Sequence, residues 1–279
     1  MNIKGKVGGG RLSAVLFVMA PLAIALGGCG EEPGAGESAG APSQVTVERS
    51  GLSTIGGGTW EYNVNGTNGV WLAPSFRTTC FLTSVGGRFA GTGEWVQVSI
   101  ESGSWVLRGS TGQGTDLFAT ASCIGVERSS SGTWTSSGAR FPAPRVKLQH
   151  GGSCFATVVQ GQFISTSDSL LTSQDSNGDW WVGGASSQIG NRITATCIND
   201  PSITQLSTTT TWAAAPWSTR LIGDPSRIRL CYLQGIRGPF FSPNESVTLT
   251  HGPTSYYWYM SGASSVGNIG STAGCLEGP

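Results

Sequence analysis

Three acidic residues recur at one spacing: Glu94, Asp168 and Glu245 each stand fourteen positions after a cysteine, Cys80, Cys154 or Cys231. Paired carboxylates are what glycoside hydrolysis or Ca²⁺ binding would use. An acid at the head of a strand also accepts turn amides, and we prefer that reading, because sites spread over three units need a shared centre to cooperate. Histidine, the usual general base, occurs only as His150 and His251. These lie four residues before Cys154 and twenty after Cys231, so no common pattern prescribes them. The chain has no G-x-S-x-G elbow, H-E-x-x-H or P-loop. GTGEWV (91–96) has two glycines of a dinucleotide fingerprint without the third, and reads as a turn. No catalytic residue, cofactor or metal is assigned; the cysteines lack C-x-x-C spacing and neighbouring histidines.

Aromatic residues are the better functional lead. One expected strand carries Trp105, then Trp180 and Trp181, then Tyr256, Tyr257, Trp258 and Tyr259 in successive units. Neighbours on a strand point to opposite faces, so adjacent rings cannot all enter one core. Either both faces are covered, or one presents an aromatic platform amid Ser, Thr, Asn and Gly, suited to stacking on sugar rings. Trp105, Trp180, Trp181, Tyr257, Trp258 and Tyr259 are the candidate ligand-binding residues. The competing expectation is that large rings fill the cores of thin, glycine-rich sheets.

The elements that must position these residues are repeated. Trp60, Trp134 and Trp212 each precede a cysteine (Cys123, Cys197, Cys275) by 63 residues. Within each unit Cys80, Cys154 or Cys231 is followed by an aromatic (Phe81, Phe155, Tyr232), by glycine at seven residues and by phenylalanine at nine. Each unit closes on Thr-Ala-x-Cys, and the first two share 13 identities over 44 ungapped positions, which sets coincidence aside. WVQVSI (95–100), SWVLRG (104–109), DLFATAS (116–122), SLLTS (169–173) and SVTLT (246–250) read as strands bounded by Gly and Ser. No segment after residue 56 carries a capped, sustained helical period, and frequent glycine opposes helix. The expectation is an all-β protein of three tandem units, 57–126, 131–200 and 209–279, each of four to five short antiparallel strands. The stretches 124–133 and 198–211 serve as short connections. A pseudo-threefold, prism-like packing is preferred to beads on a string.

Six of the seven cysteines fall two to a unit. If pairing obeys the repeat, the local set is Cys80–Cys123, Cys154–Cys197 and Cys231–Cys275. A rival set, Cys123–Cys154, Cys197–Cys231 and Cys80–Cys275, would staple a closed ring. The local set is preferred, since it needs no contact between units; each bond would contribute on the order of 4 kcal/mol in the chain-entropy model.

Composition narrows the partners. The 279 residues carry 16 basic and 16 acidic groups, only 11% charged, so the basic footprint of a nucleic-acid binder is missing. With 38% hydrophobic residues and ten Trp, the chain can nevertheless bury a core despite its 43 glycines.

The seventh cysteine lies in a leader. Lys4, Lys6 and Arg11 precede an apolar run over 12–26, too short to span a membrane comfortably and interrupted by Pro21. Leu26-Gly27-Gly28-Cys29 follows. That order resembles the signal peptide and lipobox of bacterial lipoproteins. The resemblance covers residues 1–29 and implies cleavage after 28, acylation of Cys29 (palmitate or a related chain), and an envelope location held by two or three acyl chains. Gly30, rather than Asp, leans towards the outer membrane by the same analogy. Residues 29–56 read as the lipidated cysteine and a flexible tether. Loss of the leader's three basic residues leaves three more acidic than basic groups, and Lys147 as the sole lysine. The expectation is a membrane-anchored, non-catalytic binding module for a carbohydrate or other surface ligand, its three units acting by avidity. A structural envelope component with a protein partner is the alternative; a glycoside hydrolase is third.

Overall fold

The computed structural model describes residues 52–277 except 53, 113, 115, 139–142, 214–218, 223–227 and 253–256, and omits the side chains of 206–213, 219–222 and 228–229. The leader, Cys29 and most of the tether lie outside the described residues, as does Tyr256. Each unit has six strands rather than four or five. The first holds β1 (Thr54–Glu61), β2 (Val70–Pro74), β3 (Thr79–Gly86), β4 (Trp95–Glu101), β5 (Ser104–Ser110) and β6 (Phe118–Ile124). The second holds β7 (Arg128–Ser137), β8 (Val146–His150), β9 (Ser153–Gln160), β10 (Ser169–Gln174), β11 (Asp179–Ala185) and β12 (Ile189–Ile198). The third holds β13 (Thr204–Ala213), β14 (Thr219–Ile222), β15 (Ile228–Arg237), β16 (Ser246–His251), β17 (Trp258–Ala263) and β18 (Gly270–Glu277). The supposed connections 124–133 and 198–211 are largely strand, within β6–β7 and β13. TIGGGTWE and RSSSGTWTSS are poor in apolar alternation, which hides these first strands in the sequence.

The strands form three six-stranded antiparallel sheets, and no sheet belongs to one unit. The first sheet runs β1-β6-β3-β16-β17-β14, the second β2-β5-β4-β9-β12-β7 and the third β13-β18-β15-β10-β11-β8. Every unit gives its first, third and sixth strands to one sheet and its second, fourth and fifth to another. The seam always joins one unit's fourth strand to another's third: Val96 faces Val159, Leu170 faces Ile236 and Val247 faces Val85. Because the third unit returns to the first, the arrangement is a closed ring with pseudo-threefold symmetry, and beads on a string are excluded.

The repeated residues explain the closure. Phe81, Phe155 and Tyr232 meet with ring centroids 4.5–6.0 Å apart, and Phe89, Phe163 and Phe240 form a second, edge-to-face triad at 5.7–6.1 Å. All six are fully buried. The second triad is also bonded through its backbone: Phe89 donates to Phe240, Phe240 to Phe163 and Phe163 to Phe89, each at 2.9 Å. Two residues earlier, Gly87, Gly161 and Gly238 adopt φ of 100°, 128° and 94°. A Cβ at Gly87 or Gly238 would come within 2.1–2.2 Å of a backbone oxygen, so glycine is required there. The repeated Trp60 plugs a corner between two sheets; a Cβ on Gly109 would sit 2.6 Å from its ring.

The disulfides are the local set: Cys80–Cys123, Cys154–Cys197 and Cys231–Cys275. Each joins directly opposed residues on the third and sixth strands of its own unit, with Cα atoms 4.0–4.1 Å apart. They tie each unit's half-sheet together, while packing and hydrogen bonds close the ring.

Candidate functional site

The fifth strands separate the candidate aromatics by face. Trp105, Trp180 and Trp258 occupy equivalent inward positions and are 2%, 0% and 8% exposed. The indole N–H of Trp105 donates to the Thr78 carbonyl at 2.9 Å, and that of Trp180 to the Gly152 carbonyl at 3.0 Å. These three rings are core, not platform, which corrects the expectation that they meet a ligand. Strand alternation turns the next residue to the other face: Val106 in the first unit, which is nevertheless buried, Trp181 in the second and Tyr259 in the third. Trp181 and Tyr259 are half-buried, and Tyr257 is exposed.

The recurrent acids are structural. Asp168 accepts from the amides of Ile164 and Ser165 at 3.0 and 2.9 Å and from the Ser186 hydroxyl at 2.7 Å. Glu245 likewise accepts from the Ser242 and Ser265 amides and the Ser265 hydroxyl. Glu94, equally buried, lies against Gly91, and its Oε2 has no hydrogen-bond partner among the described residues. The backbone carbonyls of all three accept from the repeated glycines of a neighbouring unit: Glu245 from Gly87, Glu94 from Gly161 and Asp168 from Gly238, at 2.7–2.9 Å. The acids thus hold the turn that locks adjacent units.

A concave site lies on the outer face of the third sheet. On β10, Leu170 and Thr172 point inward, leaving Ser169, Leu171 and Ser173 outside. Leu171 is flanked in register by Gly183 on β11 and Gly235 on β15, so two bare glycines border it across three strands. Depressions of about 450 and 240 Å³ adjoin here, sharing Ser169 and Leu171. The positions equivalent to Gly183, Leu171 and Gly235 carry Arg108, Gln97 and Val158 in the second sheet, and Ser261, Thr248 and Ser84 in the first. Arg108 pairs with Glu101 at 2.7 Å, and the Ser84 and Thr248 hydroxyls bond each other at 2.9 Å. The three outer faces are therefore unequal in the side chains they present.

The two glycines have different reasons. A Cβ at Gly235 would lie 2.3 Å from the Leu170 carbonyl oxygen, so the backbone forbids a side chain. At Gly183, which is buried, a Cβ would lie 2.6 Å from the Arg145 Cγ and 3.3–3.4 Å from its Cδ and Cβ, so the Arg145 stem would have to move to admit a larger residue. Gly183 is bare because Arg145 crosses it.

Charges line the groove unevenly. The Arg145 guanidinium stands 5.4 Å from the Trp181 ring, and Lys147 is 6.0 Å away. The Trp181 indole N–H donates to Asp175 at 2.8 Å. That bond, aided by the Asp179 and Asn177 amides, holds the Asp175 carboxyl below the usual carboxylate range. Lys147 and His150 bond Asp179 and lower it in the same sense. Both acids stay ionised at neutral pH, and Trp181 is braced by a partner that keeps its charge. Arg145 and Arg237, both exposed, have no ion pair with any described residue.

Arg145, Gly183, Gly235 and Arg237 do not stand out within one unit. Aligning the units position by position reveals them, because the third sheet departs from the others at those places. Sequence reasoning also missed Trp71 on edge strand β2 and Phe76 beyond it, 62% and 78% exposed, with Arg77 lying 5.4 Å from the Phe76 ring. Among the described residues no cluster of three or more His, Cys, Asp or Glu could hold a metal, and no helix is long and apolar enough to cross a membrane.

Fold and site together define a triplicated β ring with a groove on the outer face of its third sheet. No protein-family model matches the chain, and no curated protein matches it significantly.

Proposed function

We propose that this protein is a non-catalytic binding module of the bacterial cell envelope, anchored through acylated Cys29, that holds a glycan in the groove of the third sheet. The observation that carries the reading is a braced, half-buried Trp181 standing beside a cleft floored by Leu171 and flanked by Ser169 and Ser173, the latter being Trp181's cross-strand neighbour. A flat ring offers an apolar face to a pyranose, and short hydroxyl side chains bond its substituents. Binding rests on one groove and not on three equal sites. The anchor rests on the 1–29 motif order; a fatty-acid label should enter the wild-type protein and be lost in Cys29→Ser, and labelling that persists removes the anchor.

A glycan array probed with the full chain tests the ligand class. Trp181→Ala and Gly183→Leu should each weaken glycan binding about tenfold or more, equivalent to the ~1.4 kcal/mol a stacked ring can supply. Trp181 lies outside the inner core, so the unfolding midpoint of Trp181→Ala should move little, whereas Gly183→Leu must also displace the Arg145 stem. Undiminished binding by both folded variants places the ligand elsewhere. A second reading, an envelope protein partner, draws on Trp71 and Phe76, since an exposed edge strand with large apolar residues is a pairing surface. Binding to a protein and to no glycan would favour it.

A further inference from the structure

Resting on the glycan reading, we propose that the groove selects acidic polysaccharides, with Arg145 and Arg237 each receiving a carboxylate or sulfate on alternate sugar rings. Both guanidinium groups border the same groove, both are exposed, and neither has an ion pair among the described residues. The other charges nearby are already committed: Lys147 and His150 to Asp179, and Asp175 to Trp181. The cationic character of the groove therefore rests on these two arginines. It stands out in a chain whose expected mature form is net acidic.

The spacing defines the ligand more closely. The Arg145 stem lies over Gly183 on β11, whereas Arg237 is on β15, two strands away and two residues along. Strand spacing and rise separate Gly183, beneath the Arg145 stem, from Arg237 by about 12 Å, roughly the length of a disaccharide, and the Arg145 guanidinium reaches on from there to the Trp181 ring. Leu171 lies between them, beside the buried Gly235, with Ser169 opposite Arg237. A sugar chain crossing the strands would meet a cation, an apolar floor and a second cation in turn, with Trp181 beside the first. Arginine suits this role because its planar fork binds a carboxylate or sulfate through two parallel hydrogen bonds. The second sheet provides the contrast: its groove arginine, Arg108, is neutralised by Glu101.

The test compares the full chain with Arg145→Gln, Arg237→Gln and Trp181→Ala against four probes: hyaluronan, dextran sulfate, neutral dextran and poly-glutamate. Wild type should bind the two acidic glycans at least tenfold more tightly than dextran, with affinity falling as salt is raised. Each arginine variant should lose about tenfold towards acidic glycans, as expected for a charge-assisted hydrogen bond, and little towards dextran. Trp181→Ala should lose affinity for every glycan. Equal binding of dextran and the acidic glycans, unchanged in the arginine variants, overturns the acidic selectivity and leaves the glycan reading standing. Acidic-glycan binding that survives both arginine variants also overturns it, because the attraction then lies elsewhere. Poly-glutamate binding as tight as hyaluronan overturns it in favour of an acidic protein partner. No binding to any of the three polysaccharides removes the glycan reading itself.

Discussion

Any one of the three units expressed alone should fail to fold. Residues 126–201 contain the whole second unit with its Cys154–Cys197 bond, yet its strands belong to two different sheets. In isolation β9 loses β4, and β10 loses β15, leaving two interior strands as bare edges. Each half-sheet would be three strands wide, with its inner face no longer covered by the neighbouring units. Phe155 and Phe163 would lose the rings they pack on, which come from the other units. Far-UV circular dichroism and protease digestion should find an unfolded peptide. A circular permutant opened between β12 and β13, which keeps all eighteen strands, should instead fold and unfold in one transition. A cooperatively folded single unit would refute the shared-sheet architecture.

Phe163→Ala should destabilise the entire ring. The side chain is fully buried between Phe89 and Phe240, and its backbone takes part in the three-membered hydrogen-bond cycle. Truncating a buried phenylalanine costs about 3–5 kcal/mol, through lost transfer energy and the cavity left behind. That is a large share of the roughly 5–15 kcal/mol that keeps a typical domain folded. Because the triad belongs to all three units, the loss should appear as one shifted urea transition with the disulfides intact, not as early melting of the second unit. A change below about 1 kcal/mol, or melting confined to one unit, would mean that the triad does not hold the ring together.

Much of this architecture is local and so was legible in the sequence. Period-2 strands between glycine-rich turns do not depend on their neighbours, and all-β structure follows from them. Triplication is visible as spacing. Local disulfide pairing follows because Cys80 and Cys123 bracket strands that fold onto each other within one unit, as do their equivalents. The first strands escaped notice because their few apolar residues, such as Trp60 and Trp134, are isolated amid Gly, Ser and Thr, and those strands gain stability from pairing and corner packing.

The site was decided elsewhere. Alternation along a strand establishes that Trp180 and Trp181 point oppositely, but which faces inward depends on how three sheets close around one axis. Acids at a recurrent position fit both catalysis and turn capping; at Asp168 and Glu245 the buried carboxylates accept turn amides and serine hydroxyls, contacts that no spacing in the sequence reveals. Gly183 and Gly235 lie 52 residues apart in the chain and become one floor only where β10 runs between β11 and β15. A repeat transmits backbone geometry from unit to unit, whereas a groove arises where side chains from two units are missing together. The sequence by itself therefore determined the repeat, the all-β class, the apolar strands and the disulfides, which rest on short-range periodicity and pairing. Only the tertiary closure decided which aromatic faces solvent and where the groove of the third sheet lies, since both depend on strands contributed by different units.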